Sequence, residues 1–242
     1  MSPVLMPSMT HAQTAGWLAL LDLHDRIPAG WTLVGGQMVH LHCAERGVSP
    51  ARATDDADAV LDVRAQPRML HTFTKVLADL GFASDGRSWE GHEHRWVREA
   101  AQIDVLIPSG IGARAAARLG ASGGTTVQTP AAQQALDRSH DVDVVVEGRA
   151  GVMPRPNLLG ALVAKAAAYT IANDPRRARH LTDFAVLTTL IAPSDHIDDA
   201  SKRDRAYLTS MIGALVADKR ILLTVEGAPG GLDTLRLALG FD

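Results

Sequence analysis

The sequence predicts an α/β (α+β) protein in which strands and helices mix and a helical C-terminal part follows. Three observations predict it. A short apolar strand, Trp31 to Val34, ends on the glycine pair Gly35-Gly36 and runs at once into a helical segment. Two further apolar strands carry carboxylates, at Asp56 and Asp58 and at Asp104. Beyond Asn157 the apolar residues fall mostly at helical spacing. With 242 residues the chain has room for one large domain or two small ones. The division is expected at residue 150, with a core domain over 1–150 and a helical subdomain over 151–242.

The elements follow in order. Residues 10–26 read as a helix with Leu18 and Leu21 on its apolar side, and Ile27-Pro28-Ala29-Gly30 breaks it. After the first strand, Gln37 to Arg46 is a short helix; His40 and His42 do not share a face of it and read as ordinary packing residues. The second strand continues through Arg64, and Pro67 opens a helix to Leu80. Trp89–Val97 and Ala101–Ile107 are expected as paired strands. His92 and His94 share a face of the first; they lack further ligands at zinc spacing and, with Arg95, suit a cationic wall better. Arg114 and Arg118 fall on a short surface helix, and Thr129-Pro130 opens another. A strand covers Asp143 to Glu147. Gly148 to Asn157, with Gly151, Pro154 and Pro156, reads as a boundary loop. Asn157 caps a helix from Leu158 to Ala172, Asp174-Pro175 opens the next to Ile191, and Ser194 caps a third over Ile197 to Ala217. Ile221 to Val225 reads as a last strand or extended segment, and Asp233 to Leu239 closes the chain.

Composition bounds the function. The chain is 46% hydrophobic and 21% charged, an ordinary globular balance. Aromatics make up only 4%, so Leu, Val, Ala and Ile must fill the core. The single cysteine, Cys43, excludes an internal disulfide and suits a reducing compartment. No stretch approaches the roughly 18 apolar residues of a membrane span, and Met1 to Met9 lacks the basic start of a signal peptide. The expected place is the cytoplasm, without a membrane partner. A net charge of −3 means that any RNA contact must come from a local basic patch, for which Arg176, Arg177, Arg179, Lys202, Arg203 and Arg205 are available.

The chemistry concentrates in the first half. Asp56 and Asp58 are two apart on a strand, so they project from one face while Ala57 and Ala59 face the other way. Two adjacent carboxylates repel unless a cation lies between them, and a hard divalent ion suits such oxygen donors. Taken alone, Asp-x-Asp is equally compatible with a solvated acidic turn or half of a calcium loop. A third aspartate, Asp104, lies inside the apolar run Gln102 to Pro108, where it needs a partner or a metal. Gly35 and Gly36 let the backbone come close to a phosphate, and the helix start at Gln37 offers free N–H groups. Arg52 and Thr54 lead into the acidic pair; Arg52 either neutralises it, touches a phosphate, or forms a plain ion pair. Lys165 lies on an apolar helix, where it must reach solvent or meet an anion. Asp183 poses the same question among Leu181, Phe184 and Val186.

Gly35-Gly36, Arg52-x-Thr54-x-Asp56-x-Asp58 and Ile103-Asp104-Val105-Leu106 together resemble the nucleotidyltransferase superfamily related to DNA polymerase beta. Within it the chain resembles the abortive-infection AbiEii-type toxins, which include the mycobacterial MenT toxins. Leu158 to Lys165 and Arg179 to Phe184 resemble that branch's helical lysine and aspartate motifs, with Arg179 and His180 where a lysine is usual. The resemblance runs from about Trp31 to Leu190. It implies a nucleotidyltransferase fold, with a mixed β-sheet flanked by helices, over the core domain, and a site in which Asp56, Asp58 and Asp104 ligate Mg²⁺ or Mn²⁺. Gly35, Gly36, Gln37, Arg52, Thr54 and Lys165 would bind the NTP, with Lys165 on the leaving pyrophosphate and Asp183 orienting either Lys165 or the nucleotide. The implied acceptor is the 3′ end of tRNA, and the implied role that of a toxin restrained by an antitoxin protein.

Other readings stay open from sequence. A small-molecule acceptor, as for antibiotic nucleotidyltransferases, suits the acidic net charge. A catalytically silent nucleotide-binding protein would share the fold. A phosphatase of the haloacid dehalogenase type fits Asp56 to Val60, with Lys165 and Asp198-Asp199 as its later motifs, but leaves the glycine pair without a purpose.

Overall fold

Thr10 begins the first helix with a reciprocal cap: its hydroxyl accepts from the Gln13 N–H at 3.2 Å, and its own N–H donates to Gln13 Oε1 at 2.9 Å. The computed structural model describes residues 2–241. Its N-terminal elements are β1 (Val4–Leu5), α1 (His11–Arg26), β2 (Trp31–Val34), α2 (Gly35–Glu45), β3 (Asp56–Leu61), α3 (Met69–Asp79), β4 (Ala83–Ser84), β5 (Arg95–Arg98) and β6 (Ala101–Pro108). Then come α4 (Ala113–Ala116), β7 (Val127–Thr129), α5 (Ala132–Asp137), β8 (Ser139–Val146) and β9 (Arg149–Pro156). The chain closes with α6 (Leu158–Tyr169), α7 (Ala178–Thr189), α8 (Lys202–Ala217), α9 (Lys219–Thr224) and α10 (Ala228–Ala238).

The main sheet runs β2-β3-β6-β5-β4, with β7 added alongside β6. β3 and β6 are parallel, while β2–β3 and β5–β6 are antiparallel, so the sheet is mixed as expected. A second sheet has the order β1-β8-β9. α1 packs onto β3, β6 and β9 through Trp17, Leu20, Leu21 and Leu23, all of them buried. Aromatics are a minority of the core; Trp31 meets Phe73 edge-on at 5.7 Å, and aliphatic side chains and alanines fill most of the rest. α6 packs on α7 and α8, and α10 on α7, giving the helical C-terminal part. Among the described residues no helix is long and apolar enough to cross a membrane.

Several local expectations are corrected. Residues 149–156 are strand, not boundary loop: β8 and β9 form a hairpin of eight paired positions. Prolines are tolerated because β9 is the edge of its sheet, where a missing N–H breaks no ladder bond. Gly151 serves close packing there, since a Cβ would lie 2.8 Å from Leu21 Cδ2. Ile221 to Val225 is not extended; Lys219–Thr224 is helical, and the Asp218 carboxylate accepts from the Ile221 N–H at 3.3 Å. Ser201, not Ser194, caps the long helix, in a reciprocal box with Asp204. Strand structure begins at Arg95 rather than Trp89, because Gly86 and Gly91 turn the preceding segment and leave Trp89 93% exposed. α2 begins at Gly35, two residues before its expected start.

Candidate active site

Strand register builds the site. Asp58 pairs with Val34 on one side and Asp104 on the other, and Asp104 pairs with Arg95. One cross-strand row therefore reads Val34, Asp58, Asp104, Arg95. Directly opposed residues of neighbouring strands share a face about 5 Å apart, so the two carboxylates lie side by side. Asp56 is one step along on the same face, opposite Gln102. The start of α2 closes over this row. Gly35 has φ +70°, and a Cβ there would lie 1.8 Å from Asp58 Oδ2; a Cβ on Gly36 would lie 2.5 Å from Thr54 Cγ2. Only glycine lets the helix start touch the carboxylate strand this closely.

Burial, with Asp104 and Asp56 adding like charge, pushes Asp58 up to about 7. Asp56 goes the other way. Burial alone would raise it, but the Thr54 hydroxyl that donates to its carboxylate, with Arg179 and Arg176 nearby, holds it below the usual range. Both oxygens of Asp104 are taken: Arg95 Nε donates at 2.9 Å and an Nη at 2.8 Å. Across the cleft Asp183 receives Lys165 Nζ at 2.6 Å and the Arg52 guanidinium at 2.8 Å on each oxygen. Lys165 and Asp183 are each 3% exposed. Burial opposes ionisation of Asp183, and the two cations outweigh it, keeping its carboxyl low.

All of these groups except Asp183 line a cleft of about 300 Å³, whose other wall is the apolar surface of Val127, Pro130, Ala132, Ala135, Ala164 and Ala168. An adjoining lobe of about 410 Å³ brings Arg52, Arg95, Arg176 and Arg179 around Asp56.

No family profile and no curated protein matches this chain. Solved structures do. An antigenic nucleotidyltransferase-like protein from Paracoccidioides brasiliensis superposes with a TM-score of 0.53 at 15% identity, over 89% of this chain and 94% of that one. The antibiotic-resistance factor ANT(2'')-Ia, a solution structure, matches with a TM-score of 0.45 at 11% identity, over 88% and 97%. The chain has a nucleotidyltransferase-like fold.

On this nucleotidyltransferase-like fold, Gly35, Gly36, Arg52, Thr54, Asp56, Asp58, Asp104 and Lys165 all line the cleft, and Asp183 holds two of them. Gln37 does not. Its side chain is 1% exposed, accepts from Trp17 Nε1 at 2.9 Å and donates to the Thr54 carbonyl at 2.7 Å. Gln13 donates to the same carbonyl at 2.9 Å. Two buried amides thus pin the residue that bonds Asp56. Gln13 and Trp17 carry no signal in sequence, since Gln13 bonds Thr54, 41 residues ahead, and Trp17 bonds Gln37, 20 ahead. Arg52 serves Asp183 rather than the acidic pair. Of the expected cationic wall Arg95 is the charged member: His94 lines the cleft but burial lowers its pKa, and His92 instead meets Thr125 at 2.9 Å. His180 also lines the cleft, and burial, with Lys165 and Arg179 beside it, lowers it to about 4. Of the expected RNA patch, Arg176 and Arg179 face the cleft. Arg177 stacks on Tyr169 at 4.3 Å, and Arg205 is spent on the carbonyls of Ala200, Asp198 and Leu239.

A hard divalent cation fits the donor set chemically, because all three acids offer carboxylate oxygen and Asp58 lacks a countercharge of its own. Even so, no group of three metal-ligating side chains stands ready-made among the described residues. Asp104 is bonded to Arg95 instead.

Proposed function

We propose that this chain is a nucleotidyltransferase that moves a nucleoside monophosphate from an NTP to a hydroxyl acceptor with Mg²⁺ or Mn²⁺. The observation that supports it most is the row of Asp58 and Asp104, with Asp56 one step along, facing a helix start that only glycine can form. In the reaction the acceptor oxygen bonds to the α-phosphorus, the α–β bridging bond breaks, and pyrophosphate leaves. Asp56, Asp58 and Asp104 would hold the divalent cation, which would supply charge neutralisation at the triphosphate. Asp104 also takes the acceptor's proton, since each carboxylate oxygen carries more than one lone pair. The backbone N–H groups at the start of α2 receive the phosphates. Lys165, oriented by Asp183, balances charge on the departing pyrophosphate.

The lobe of four arginines beside Asp56 favours an acceptor that carries phosphate. By resemblance this is the 3′ end of tRNA, and the role that of a toxin held by an antitoxin. The net charge of −3 favours the second reading, a small-molecule acceptor. Asp198 and Asp199 lie on a short 3-10 turn and do not line the cleft, which leaves the phosphatase reading without support. The test is incubation with each labelled NTP, Mg²⁺ and total RNA. Label should move onto tRNA with wild type and not with Asp58→Ala; full activity in that variant would refute the site. Lys165→Ala should weaken nucleotide binding in calorimetry while the fold persists.

A further inference from the structure

We propose that Arg95 is a built-in occupant of the cation site, and that its transfer from Asp104 to Gln102 and on to substrate phosphate couples divalent-cation binding to anion binding. The inference rests on the reading that Asp56, Asp58 and Asp104 take a divalent cation.

One guanidinium has two receivers here. Arg95 reaches Asp104 by a two-point fork at 2.9 and 2.8 Å. Gln102 is two residues before Asp104 on β6, so both project from one face. With its amide turned so that the oxygen faces the guanidinium, Gln102 lies 3.1 and 3.2 Å from the same Nε and Nη atoms. Arg95 can leave Asp104 without losing every acceptor. The side chain is 32% exposed and borders both the main cleft and the arginine lobe. Of the four lobe arginines, Arg52 is committed to the buried Asp183. Arg95 is the one bonded to a carboxylate of the strand row itself.

Physical consequences follow. While Arg95 holds Asp104, it supplies the positive charge that a divalent ion would bring, and the ion must compete with it. A divalent ion carries twice that charge and prefers carboxylate oxygen, whereas a neutral amide suffices for the guanidinium. Once moved, Arg95 offers its fork to phosphate in the lobe. Linkage makes the effect reciprocal: an anion that draws Arg95 away frees Asp104 for the cation.

The test measures Mn²⁺ binding by the resonance signal of the free ion, and inorganic tripolyphosphate binding by calorimetry without divalent ion. Arg95→Met keeps the aliphatic stem and loses the charge. It should bind Mn²⁺ roughly tenfold more tightly, within the usual range for coupled sites, and tripolyphosphate several-fold more weakly. Arg95→Lys, a single-point donor, should fall between. Gln102→Leu changes no charge, so general electrostatics predicts no effect, whereas loss of the second receiver should weaken Mn²⁺ binding several-fold. Unchanged Mn²⁺ affinity in Arg95→Met, or wild-type behaviour in Gln102→Leu, overturns the coupling. If wild type binds no Mn²⁺, or Asp58→Asn binds it as well as wild type, the nucleotidyltransferase reading itself fails.

Discussion

Asp58 is buried, and stands between two like-charged neighbours; burial first, and those charges second, set its titration. Its folded pKa of about 7 lies above the ordinary 3.8, so between pH 4 and 7 the folded state binds more protons than the unfolded one. Stability from this group is therefore present at low pH and lost as pH rises towards 7. His180, lowered from 6.5 to about 4, has the opposite sign over an overlapping range: the unfolded state binds more protons there, and stability rises with pH. The two offset each other in wild type, so the informative quantity is a difference. Asp58→Asn should melt higher than wild type by an increment that grows from pH 4 to 7, with a ceiling of about 4 kcal/mol. Melting curves of both proteins across that range check it. An increment that shrinks with pH would contradict the assignment.

Lys165 and Asp183 make the converse case, opposite charges buried together. Removing the lysine as Lys165→Met leaves Asp183 with Arg52 alone and should cost about 3 kcal/mol, measured by denaturant unfolding. Asp183→Leu added to Lys165→Met should recover part of that loss, because the stranded carboxylate goes as well. If the double variant were no more stable than the single one, the pair would not be acting as a charge pair.

Among the elements, the turn from β2 into α2 decides whether the site forms. Gly35 combines a left-handed backbone with a carboxylate oxygen where a Cβ would be. Gly35→Ala should therefore destabilise by at least about 2 kcal/mol, from backbone strain and displacement of Asp58. It should also weaken Mn²⁺ binding, which thermal melts with and without the ion would show as a lost ion-dependent shift. A full shift retained in Gly35→Ala would mean that α2 does not define the carboxylate geometry. Strand alternation of Asp56 and Asp58, the place of Asp104 in an apolar strand and the lysine on α6 were legible in sequence, because each is a local pattern of period two or a charge in an apolar run. The strand nature of 149–156 was not legible. Its Gly151, Pro154 and Pro156 read as a loop until pairing with β8 makes them an edge strand. The helix at Lys219–Thr224 was missed for a related reason: a local cap from Asp218 and packing against α8 outweigh the β-propensity of Ile and Val.

For the whole molecule, the cleft wall is assembled from distant parts of the chain. The Arg52–Asp183 pair spans 131 residues, and Lys165 reaches the same Asp183 from another helix. A fragment ending at residue 150 would cut the β8–β9 hairpin and strip β8 of its antiparallel partner. Residues 1–150 alone should show no cooperative thermal transition by circular dichroism. A sharp transition in that fragment would show that the core stands without β9 and the helices beyond it.

By itself the sequence determined the first strands, the helical tail, and which acids share a face, since these follow from periods of 2 and 3.6 residues along a local stretch; the mixed sheet was implied only by family resemblance. Only the tertiary structure decided who partners whom. Arg95 sits on Asp104 through antiparallel register, Arg52 turns to Asp183, and Gln37 points inward to Trp17 and Thr54. Charge and hydrogen-bonding capacity are written at each residue, but the distance that makes a partner is set by packing between elements far apart in the chain.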